Sequence, residues 1–345
     1  MKKTILLLLL ACAPLGAQEL IPYNAGKKWG YAAPGGRLAI AARYDYAEPF
    51  SEGLALVRSG AKYGFIDRAG KKVIAPQYQS AGSFSEGCAP VKSRGLWGCV
   101  DKAGKTAVPF EYEALLPFRE GAAPARKGGR WGLLLKDARE FRGGIYDEIY
   151  PVSEGLARVK TGGKYGYIGL DGRELVPPVY AEAFPFSRGY AAARLGDRYG
   201  FINRGTLAFK ERAFVSIGPY SEGLAHAQAL DWEGRCGYID EDGRQVILAL
   251  FAMCGSFDGG LAPALKDFEG GWGYIDRTGK AVTDFKYARA AGFRGGVARV
   301  EYEGRAFFID SKGFEYTSAA MNKKKAGPKS PAPAKAKRKA PQETH

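Results

Sequence analysis

Few side chains in this sequence are arranged as catalysis would require. The only histidines are His226 and His345, and neither lies in a nucleophile, phosphate-loop or zinc-protease motif. A general acid and its base act as a close pair, whereas the glutamates of the recurring Ser-Glu-Gly triplets fall one per copy. These glutamates are Glu52, Glu86, Glu154 and Glu222. We therefore expect turn chemistry at these positions, no catalytic, cofactor-binding or metal-binding residue, and a protein that is not an enzyme.

Cysteine is the other residue type here that supports chemistry. Cys88 and Cys99 fall on adjacent strands of one predicted hairpin, and Cys236 and Cys254 fall on neighbouring segments. No Cys-x-x-Cys spacing favours zinc. In an exported protein, which meets an oxidising compartment, these residues are candidates for the disulfides Cys88–Cys99 and Cys236–Cys254. The alternative of four buried free thiols that pack as small apolar residues stays open.

Three turns near the C-terminal end combine acidic residues with a central aromatic residue. They lie within residues 228–236, 264–272 and 301–305, and the first two are longer than their counterparts elsewhere in the chain. Aromatic residues on exposed turns suit a protein partner or a sugar face. The resulting candidate binding rim consists of Asp231, Trp232, Glu233, Asp267, Phe268, Glu269, Glu301, Tyr302 and Glu303.

The corresponding turns earlier in the chain are basic and suit an anionic partner. This basic rim consists of Arg58, Lys62, Lys92, Arg94, Arg126, Lys127, Arg130, Lys160, Lys164, Arg194 and Arg198. The alternative for both rims is a row of solvated hairpin tips whose charges vary without consequence.

These turns belong to a repeated unit of about 34 residues. Trp/Tyr-Gly pairs, Ser-Glu-Gly-like triplets and a further aromatic position recur in one phase, with a degenerate ninth copy at Ala306-Phe307. The unit at 44–77 shows short turn-bounded apolar segments with period 2, which predicts three or four antiparallel β-strands. Asp-x-x-Gly segments such as Asp67–Gly70 predict tight turns, because Asp and Gly are favoured at these turn positions. They do not predict calcium sites, because one Asp per turn supplies too few oxygen ligands.

The motif KYGFIDRAGKKVIAPQY at 62–78, with FSEGLALV at 50–57, resembles the WG-repeat (KWG-repeat) family. The resemblance covers about residues 27–316. It implies tandem β-repeats that bind proteins or other ligands, and it implies no catalytic residues. The copies at 131–146 and 199–214 depart from the pattern because they lose the turn signature.

The repeat count leaves two all-β architectures open, a closed β-propeller-like ring and an open superhelical array. Counting its degenerate copies, the Trp/Tyr-Gly hairpin occurs nine times and is present at both ends, while the strand that follows Ser-Glu-Gly or a related triplet occurs eight times. A ring that closes by sharing one blade needs complementary halves at its termini. We therefore favour the open array of about eight to nine antiparallel β-meander repeats.

The two ends of the chain differ in kind from the repeats. Residues 1–17 have a basic start, an apolar stretch and small residues before Gln18, as in a cleaved signal peptide. Lipidation at Cys12 is the less favoured alternative. We expect a repeat domain over 18–318, followed by a Lys/Ala/Pro-rich tail over 319–345 that is too poor in apolar residues to fold.

Charge separates the tail from the repeat domain. The tail holds eight Lys or Arg residues against one Glu, which is nearly half of the formal net charge of +15. The folded part is only mildly basic, which argues against nucleic acid as a partner. The tail itself suits an anionic glycan or a membrane surface.

The expected function is a non-catalytic scaffold for protein–protein interaction, located in the periplasm, in the cell envelope or outside the cell. A glycan or cell-wall binding module is the alternative, and an enzyme with an unrecognised site is the outside alternative. The partner protein is not identified by the sequence.

Overall fold

The structure is a computed structural model that describes residues 19–136, 141–143 and 146–320. The predicted signal at 1–17, and the predicted tail apart from residues 319 and 320, lie outside the described residues. Regular structure in the described range is almost entirely antiparallel β, as the period-2 pattern predicts. The strands form nine sheets in chain order, which are the blades of a propeller.

Blades 1 to 3 occupy the first third of the chain. Blade 1 contains β1 (Ile21–Asn24), β2 (Trp29–Ala32) and β3 (Leu38–Tyr44). Blade 2 contains β4 (Tyr46–Ser51), β5 (Leu54–Ser59), β6 (Lys62–Ile66) and β7 (Lys72–Tyr78). Blade 3 contains β8 (Ser80–Ala81), β9 (Ala89–Ser93), β10 (Leu96–Val100) and β11 (Thr106–Tyr112).

Blades 4 to 6 repeat the four-stranded order. Blade 4 contains β12 (Ala114–Leu115), β13 (Ala122–Lys127), β14 (Arg130–Leu135) and β15 (Phe141–Gly143). Blade 5 contains β16 (Glu148–Ser153), β17 (Leu156–Thr161), β18 (Lys164–Gly169) and β19 (Glu174–Tyr180). Blade 6 contains β20 (Glu182–Ala183), β21 (Tyr190–Leu195), β22 (Arg198–Asn203) and β23 (Phe209–Arg212).

Blades 7 to 9 complete the ring. Blade 7 contains β24 (Ser216–Ser221), β25 (Leu224–Gln228), a 3₁₀ turn (Leu230–Trp232), β26 (Cys236–Ile239) and β27 (Gln245–Phe251). Blade 8 contains β28 (Met253–Cys254), β29 (Leu261–Leu265) and β30 (Trp272–Asp276). Blade 9 contains β31 (Arg289–Ala290), β32 (Val297–Tyr302) and β33 (Arg305–Asp310).

Strands a, b, c and d are the successive strands of a complete blade such as blade 2. Strand a lies innermost, since a central cavity is lined by strand a segments of seven blades. The antiparallel order places every b–c turn on one face of the ring, the hairpin face. The a–b and c–d turns lie on the opposite face, the latch face.

The Trp/Tyr-Gly pair is explained by the packing of strand d on strand c. A Cβ on Gly64 would lie 2.6 Å from the carbonyl oxygen of Ile74 and 2.6 Å from the nitrogen of Pro76. The pairing of β6 with β7 shifts register on both sides of Phe65, as at a β-bulge. Glycine at this position therefore lets strand d cross strand c closely.

The core lies between blades. Each hydrophobic cluster joins neighbouring blades, and one cluster joins blades 9, 1 and 2. In six seams the strand c aromatic of one blade meets the strand a aromatic of the next, with ring centroids 4.8–5.5 Å apart. The seams thus carry the tertiary packing that single blades lack.

The open array favoured by the repeat count is wrong, because the ends of the repeat domain meet. The backbone N–H of Asn24 donates to the carbonyl oxygen of Tyr316 at 3.2 Å, and its side-chain amide donates to Ala306 at 2.9 Å. Residues 21–24 pair with β2 as strand b although they carry no Ser-Glu-Gly motif. Counting motifs therefore missed a strand, and the ring closes by seam packing without sharing a blade.

Candidate interaction surfaces

The structure places both predicted rims on the hairpin face, on successive b–c turns around the ring. The basic rim covers blades 2 to 6, and the acidic-aromatic rim covers blades 7 to 9. The two rims are therefore adjoining arcs of one face.

Much of the basic rim is paired with carboxylates. Arg126 and Lys127 lie 3.3 and 2.9 Å from Glu113 and Glu111. Further pairs join Lys160 to Glu148 at 3.2 Å, Arg194 to Glu182 at 2.9 Å and Arg198 to Glu211 at 3.2 Å. Exposed ion pairs of this kind contribute about 0–1 kcal/mol each to the free energy of unfolding. Their main effect here is to lower the net positive charge of the arc.

Among the described residues, six members of the basic rim form no ion pair. These residues are Arg58, Lys62, Lys92, Arg94, Arg130 and Lys164. The arc thus keeps a reduced positive charge in blades 2 to 5.

The residue that precedes strand a changes character around the ring. In blades 2 to 5 it is polar, and its side chain accepts a backbone N–H from the b–c turn, as Asp45 does from Gly60 at 2.8 Å. A hydrogen bond from Lys28, together with that from Gly60, lowers the pKa of Asp45. In blades 6 to 9 the same position is Ala or Val. The b–c turns of the later blades therefore lose this anchor.

The three aromatic residues of the acidic-aromatic rim have different environments. Trp232 is half-buried against Phe214, with ring centroids 5.7 Å apart. Tyr302 is half-buried and packs edge-on against Tyr287, with centroids 6.5 Å apart. Phe268 is 81% exposed. Phe268 alone among them presents most of its ring to solvent.

The acidic members of this rim are mostly exposed. Asp267 accepts the backbone N–H of Gly270 at 2.6 Å, and Glu301 lies 3.7 Å from Arg289. Asp231, Glu233, Glu269 and Glu303 are exposed on the three turns. These carboxylates surround the aromatic residues with negative charge.

An exposed apolar surface at blades 7 and 8 was missed by the sequence analysis. Outer strand β27 presents Val246, Leu248 and Leu250 to solvent, where its buried neighbours Ile247 and Phe251 face the blade. Leu230 on the b–c turn of blade 7 is 93% exposed. The signal was present in the sequence QVILALF at 245–251, which is apolar at exposed and buried positions alike.

Arg235 holds these segments together. Its guanidinium donates to the carbonyl oxygen of Leu250 at 3.0 Å and to that of Lys266 at 3.5 Å. The b–c turn of blade 7, the end of β27 and the start of the blade 8 turn are thereby joined. We call the exposed residues of this region the blade 7–8 patch. It consists of Leu230, Val246, Leu248, Leu250, Met253 and Phe268.

The Ser-Glu-Gly triplets connect neighbouring blades. Ser51 donates its hydroxyl to the carbonyl oxygen of Phe84, and the carboxylate of Glu52 accepts the N–H of Gly87 at 2.9 Å. The same bond, from a glycine N–H to the carboxylate of the preceding blade, recurs at Glu86, Glu154, Glu222 and at Glu120 of the corresponding Arg-Glu-Gly triplet. The expectation of turn chemistry holds locally, since Glu52 has φ 51°, but the carboxylate itself acts between blades.

A central cavity of about 970 Å³ lies on the ring axis. Its charged lining consists of Glu48, Asp258, Arg294 and Arg299. Burial raises the pKa of Glu48 against the opposing effect of the two arginines. Burial and the charge of Glu222 raise the pKa of Asp258. The cavity falls in the size range of ligand pockets and carries charges of both signs.

His226 lies in strand b of blade 7 and packs on Gly218 of strand a. A Cβ on Gly218 would lie 2.0 Å from its Nε2 atom, so only glycine leaves room for the imidazole. Burial lowers the pKa of His226 to about 4. Its imidazole is therefore neutral near pH 7.

The structure joins both candidate cysteine pairs. Cys88 and Cys99 lie within blade 3 with Cα atoms 5.9 Å apart, and Cys236 links blade 7 to Cys254 of blade 8 with Cα atoms 6.2 Å apart. Both separations suit disulfides. Cys236 stands where most units have Trp or Tyr before glycine.

Clustered metal ligands and membrane-spanning helices are two features that residues 19–136, 141–143 and 146–320 lack. No group of three or more His, Cys, Asp or Glu side chains there converges as metal ligands would. Among the same residues, no helix has the length and apolar character needed to cross a membrane.

Three solved structures that are similar to the chain share little sequence identity with it. A eukaryotic initiation factor shares 11% identity with a TM-score of 0.57, over 87% of this chain and 94% of that chain. Hsv2p of Kluyveromyces lactis shares 8% identity with a TM-score of 0.42, over 67% of this chain and 92% of its own. PorZ of Porphyromonas gingivalis shares 13% identity with a TM-score of 0.34, over 86% of this chain and 46% of its own. The TM-score of the initiation factor shows that it and this chain share a fold.

Sequence comparison with protein families is more specific. No curated protein is significantly similar to the chain. A family model described as "WG containing repeat" matches residues 29–63, 63–97, 97–131, 144–165, 165–199, 237–267 and 272–305. These matches span more than half of the sequence, and most run from strand c of one blade towards strand c of the next. The chain therefore belongs to the family of WG-containing repeat proteins.

Proposed function

We propose that this protein is a non-catalytic, exported scaffold that binds a protein partner through the blade 7–8 patch. The observation that carries the proposal is the exposure of apolar side chains on one arc of the ring, with Leu230 at 93%, Leu248 at 63% and Phe268 at 81%. Exposed apolar side chains concentrated in one region of a surface mark interaction sites.

The charges around the patch indicate the chemistry of the partner. Asp231 and Glu233 are exposed beside Leu230, and Asp267 and Glu269 flank Phe268. A partner with an apolar centre and a basic margin would complement this surface. Such margins favour correct encounters and discourage partners of like charge.

Export is part of the same proposal. It is supported by the signal-like residues 1–17 and by the two cysteine pairs at disulfide distance. The basic tail would add an electrostatic attachment to an anionic glycan or membrane surface, which is sensitive to salt. Lipidation at Cys12 remains the alternative form of attachment.

A triple variant tests the patch. Leu230→Ser, Leu248→Ser and Phe268→Ser together should leave thermal unfolding unchanged, because all three side chains are exposed. Cross-linking and pull-down from native envelopes, quantified against the wild-type chain, should lose the specific partner by about tenfold or more.

A matched control separates this effect from a general loss of surface apolarity. Leu38→Ser, Val73→Ser and Leu175→Ser remove exposed apolar side chains from the outer strands of blades 1, 2 and 5. The control should retain the partner. Equal recovery with the blade 7–8 variant and the control would contradict the proposed surface.

Glycan binding is the second candidate, favoured by the exposed ring of Phe268. An aromatic face can stack on a sugar ring. Direct pull-down with purified peptidoglycan and polysaccharide distinguishes the candidates, since retention that depends on Phe268 without any protein would favour the glycan.

A further inference from the structure

The seam between blades 9 and 1 has an open innermost position in the described part of the chain. Blade 1 begins there with strand b, and β1 (Ile21–Asn24) pairs with β2 along its whole length. In blade 2 the other edge of strand b pairs with β4 (Tyr46–Ser51). Among residues 19–136, 141–143 and 146–320, that edge of β1 carries only the parallel bridge from Asn24 to Thr317 and the hydrogen bond from the N–H of Asn24 to Tyr316. An open strand edge offers N–H and C=O groups to another extended chain.

Other seams show what an innermost strand contacts. Phe50 of blade 2 packs on Tyr31 of blade 1, with ring centroids 4.9 Å apart, and Phe84 packs on Phe65 at 4.8 Å. Phe308 has the equivalent position in blade 9, but its ring meets Trp29 of strand c at 5.8 Å. Phe308 lines the central cavity, unlike its counterparts among the described residues. The side of the Phe308 ring that faces the cavity is therefore the side that an aromatic residue of strand a covers in six other seams.

Arg299 marks the same place. Its counterpart Arg158 donates to the carbonyl oxygen of Ala183, which lies in strand a of the next blade. Arg158 also covers the ring of Tyr150, 3.8 Å from its centroid. Arg299 is exposed, lines the cavity and makes no hydrogen bond or ion pair with the described residues. A strand in the open position would present a carbonyl oxygen to it.

We infer that this seam receives an extended segment of a partner protein as the innermost strand of blade 1. The segment would pair with the open edge of β1, set an aromatic side chain on Phe308 and place a carbonyl oxygen at Arg299. Strand addition of this kind gains affinity from the main chain and specificity from alternate side chains. The inference rests on the proposed role as a protein scaffold and adds a second contact site to it.

The occupant and its sequence pattern follow from the chain itself. Predicted cleavage after Ala17 leaves a single residue ahead of Glu19, which is too short for a strand of its own. The eight strand a segments share a small or aliphatic residue followed three positions later by an aromatic, as in Ala47 and Phe50. Blade 5, with Val152, is the exception to the aromatic. A partner segment should carry the same spacing.

A peptide binding experiment tests the inference. The probe is a fluorescein-labelled peptide with the sequence of residues 45–52, DYAEPFSE, measured by anisotropy against the chain that begins at Gln18. We expect saturable binding with one peptide per chain. Replacing the peptide phenylalanine with alanine should weaken binding at least tenfold, and the Arg299→Ala protein should bind at least fivefold more weakly. The exposed Arg305→Ala variant is the matched control and should bind as wild type.

Several results would overturn it. Absence of saturable binding, or equal binding of the alanine peptide, would show that no partner strand binds beside β1. Binding to the chain that begins at Gln18 but not to one that begins at Cys12 would show that the protein's own segment is the occupant. The triple variant of the blade 7–8 patch should still bind the peptide, so failure here and failure of that patch are separate outcomes.

Discussion

The glutamates of the Ser-Glu-Gly triplets, and Glu120 of the corresponding Arg-Glu-Gly triplet, show how a local turn stabilises the whole ring. Each occupies a left-handed conformation, as Glu120 does at φ 51°, and its carboxylate reaches the N–H groups of the next blade. Arg188 replaces glutamate in blade 6, and glycines replace it in blades 8 and 9. The turn was predictable from residue type. The bond across the seam was not, because it joins residues about one repeat apart that meet only when the ring forms.

His226 gives a test of stability at single-residue level. Its pKa is about 4 in the folded chain, against 6.5 for an ordinary histidine, because of burial. Between these values the unfolded chain binds a proton that the folded chain does not. The contribution to stability is therefore complete above pH 6.5 and is lost as the pH falls towards 4. We expect this loss to reach about 1–3 kcal/mol.

The measurement compares wild type with His226→Leu, since leucine occupies the same position in blade 2 at Leu56. Chemical denaturation from pH 7 to pH 4 should give a steeper decline for wild type, and the difference between the curves isolates His226 from the carboxylates. Parallel curves for the two proteins would show that the imidazole is freely protonated in the fold.

Strand β28 is short and carries a covalent link to the preceding blade. It consists of Met253 and Cys254 and pairs with β29 at only two positions. The Cys236–Cys254 disulfide ties it to blade 7. Cys88–Cys99 instead crosslinks strands of one blade that already pair along β9 and β10. The first bond should therefore stabilise a seam and the second a single blade.

Removing each bond separately tests this difference. Cys236→Ala with Cys254→Ala should lower the free energy of unfolding by about 2–4 kcal/mol and reduce hydrogen-exchange protection in both blades 7 and 8. Cys88→Ala with Cys99→Ala should have a similar energetic cost, with the loss of protection confined to blade 3. Loss confined to one blade in both variants would contradict the seam role.

The sequence predicted strands well where a motif marked them. The segments at 54–58, 62–67 and 72–76 correspond to β5, β6 and β7, because alternating apolar residues and Asp-x-x-Gly turns fix their limits. Strand β27 was overlooked as a surface, since its exposed leucines look like core residues until the ring places them on the periphery. The central cavity has no local signal, because seven blades contribute to its wall.

Closure of the ring is a property of the whole molecule and depends on residues far apart in sequence. Tyr316 is fully buried, its carbonyl oxygen accepts the N–H of Asn24, and its hydroxyl accepts the N–H of Gly35 at 3.3 Å. Counting motif halves could not reveal this contact, since β1 carries no motif and the C-terminal residues 314–317 do not continue the Trp/Tyr-Gly pattern. Side-chain packing and these hydrogen bonds close the seam, and no repeat is shared between the two ends of the ring.

Tyr316→Ala therefore distinguishes a closed ring from an open array. Loss of the buried aromatic should cost about 3–5 kcal/mol. In a ring it should reduce hydrogen-exchange protection in blade 1 at 21–44 as well as in blade 9 at 297–310. As control, Phe293→Ala removes the aromatic contact with Tyr274 at the seam of blades 8 and 9, and should leave blade 1 protected. If Tyr316→Ala reduced protection in blade 9 alone, blades 9 and 1 would not stabilise each other across the seam. The two ends would then behave as the separate termini of an open array.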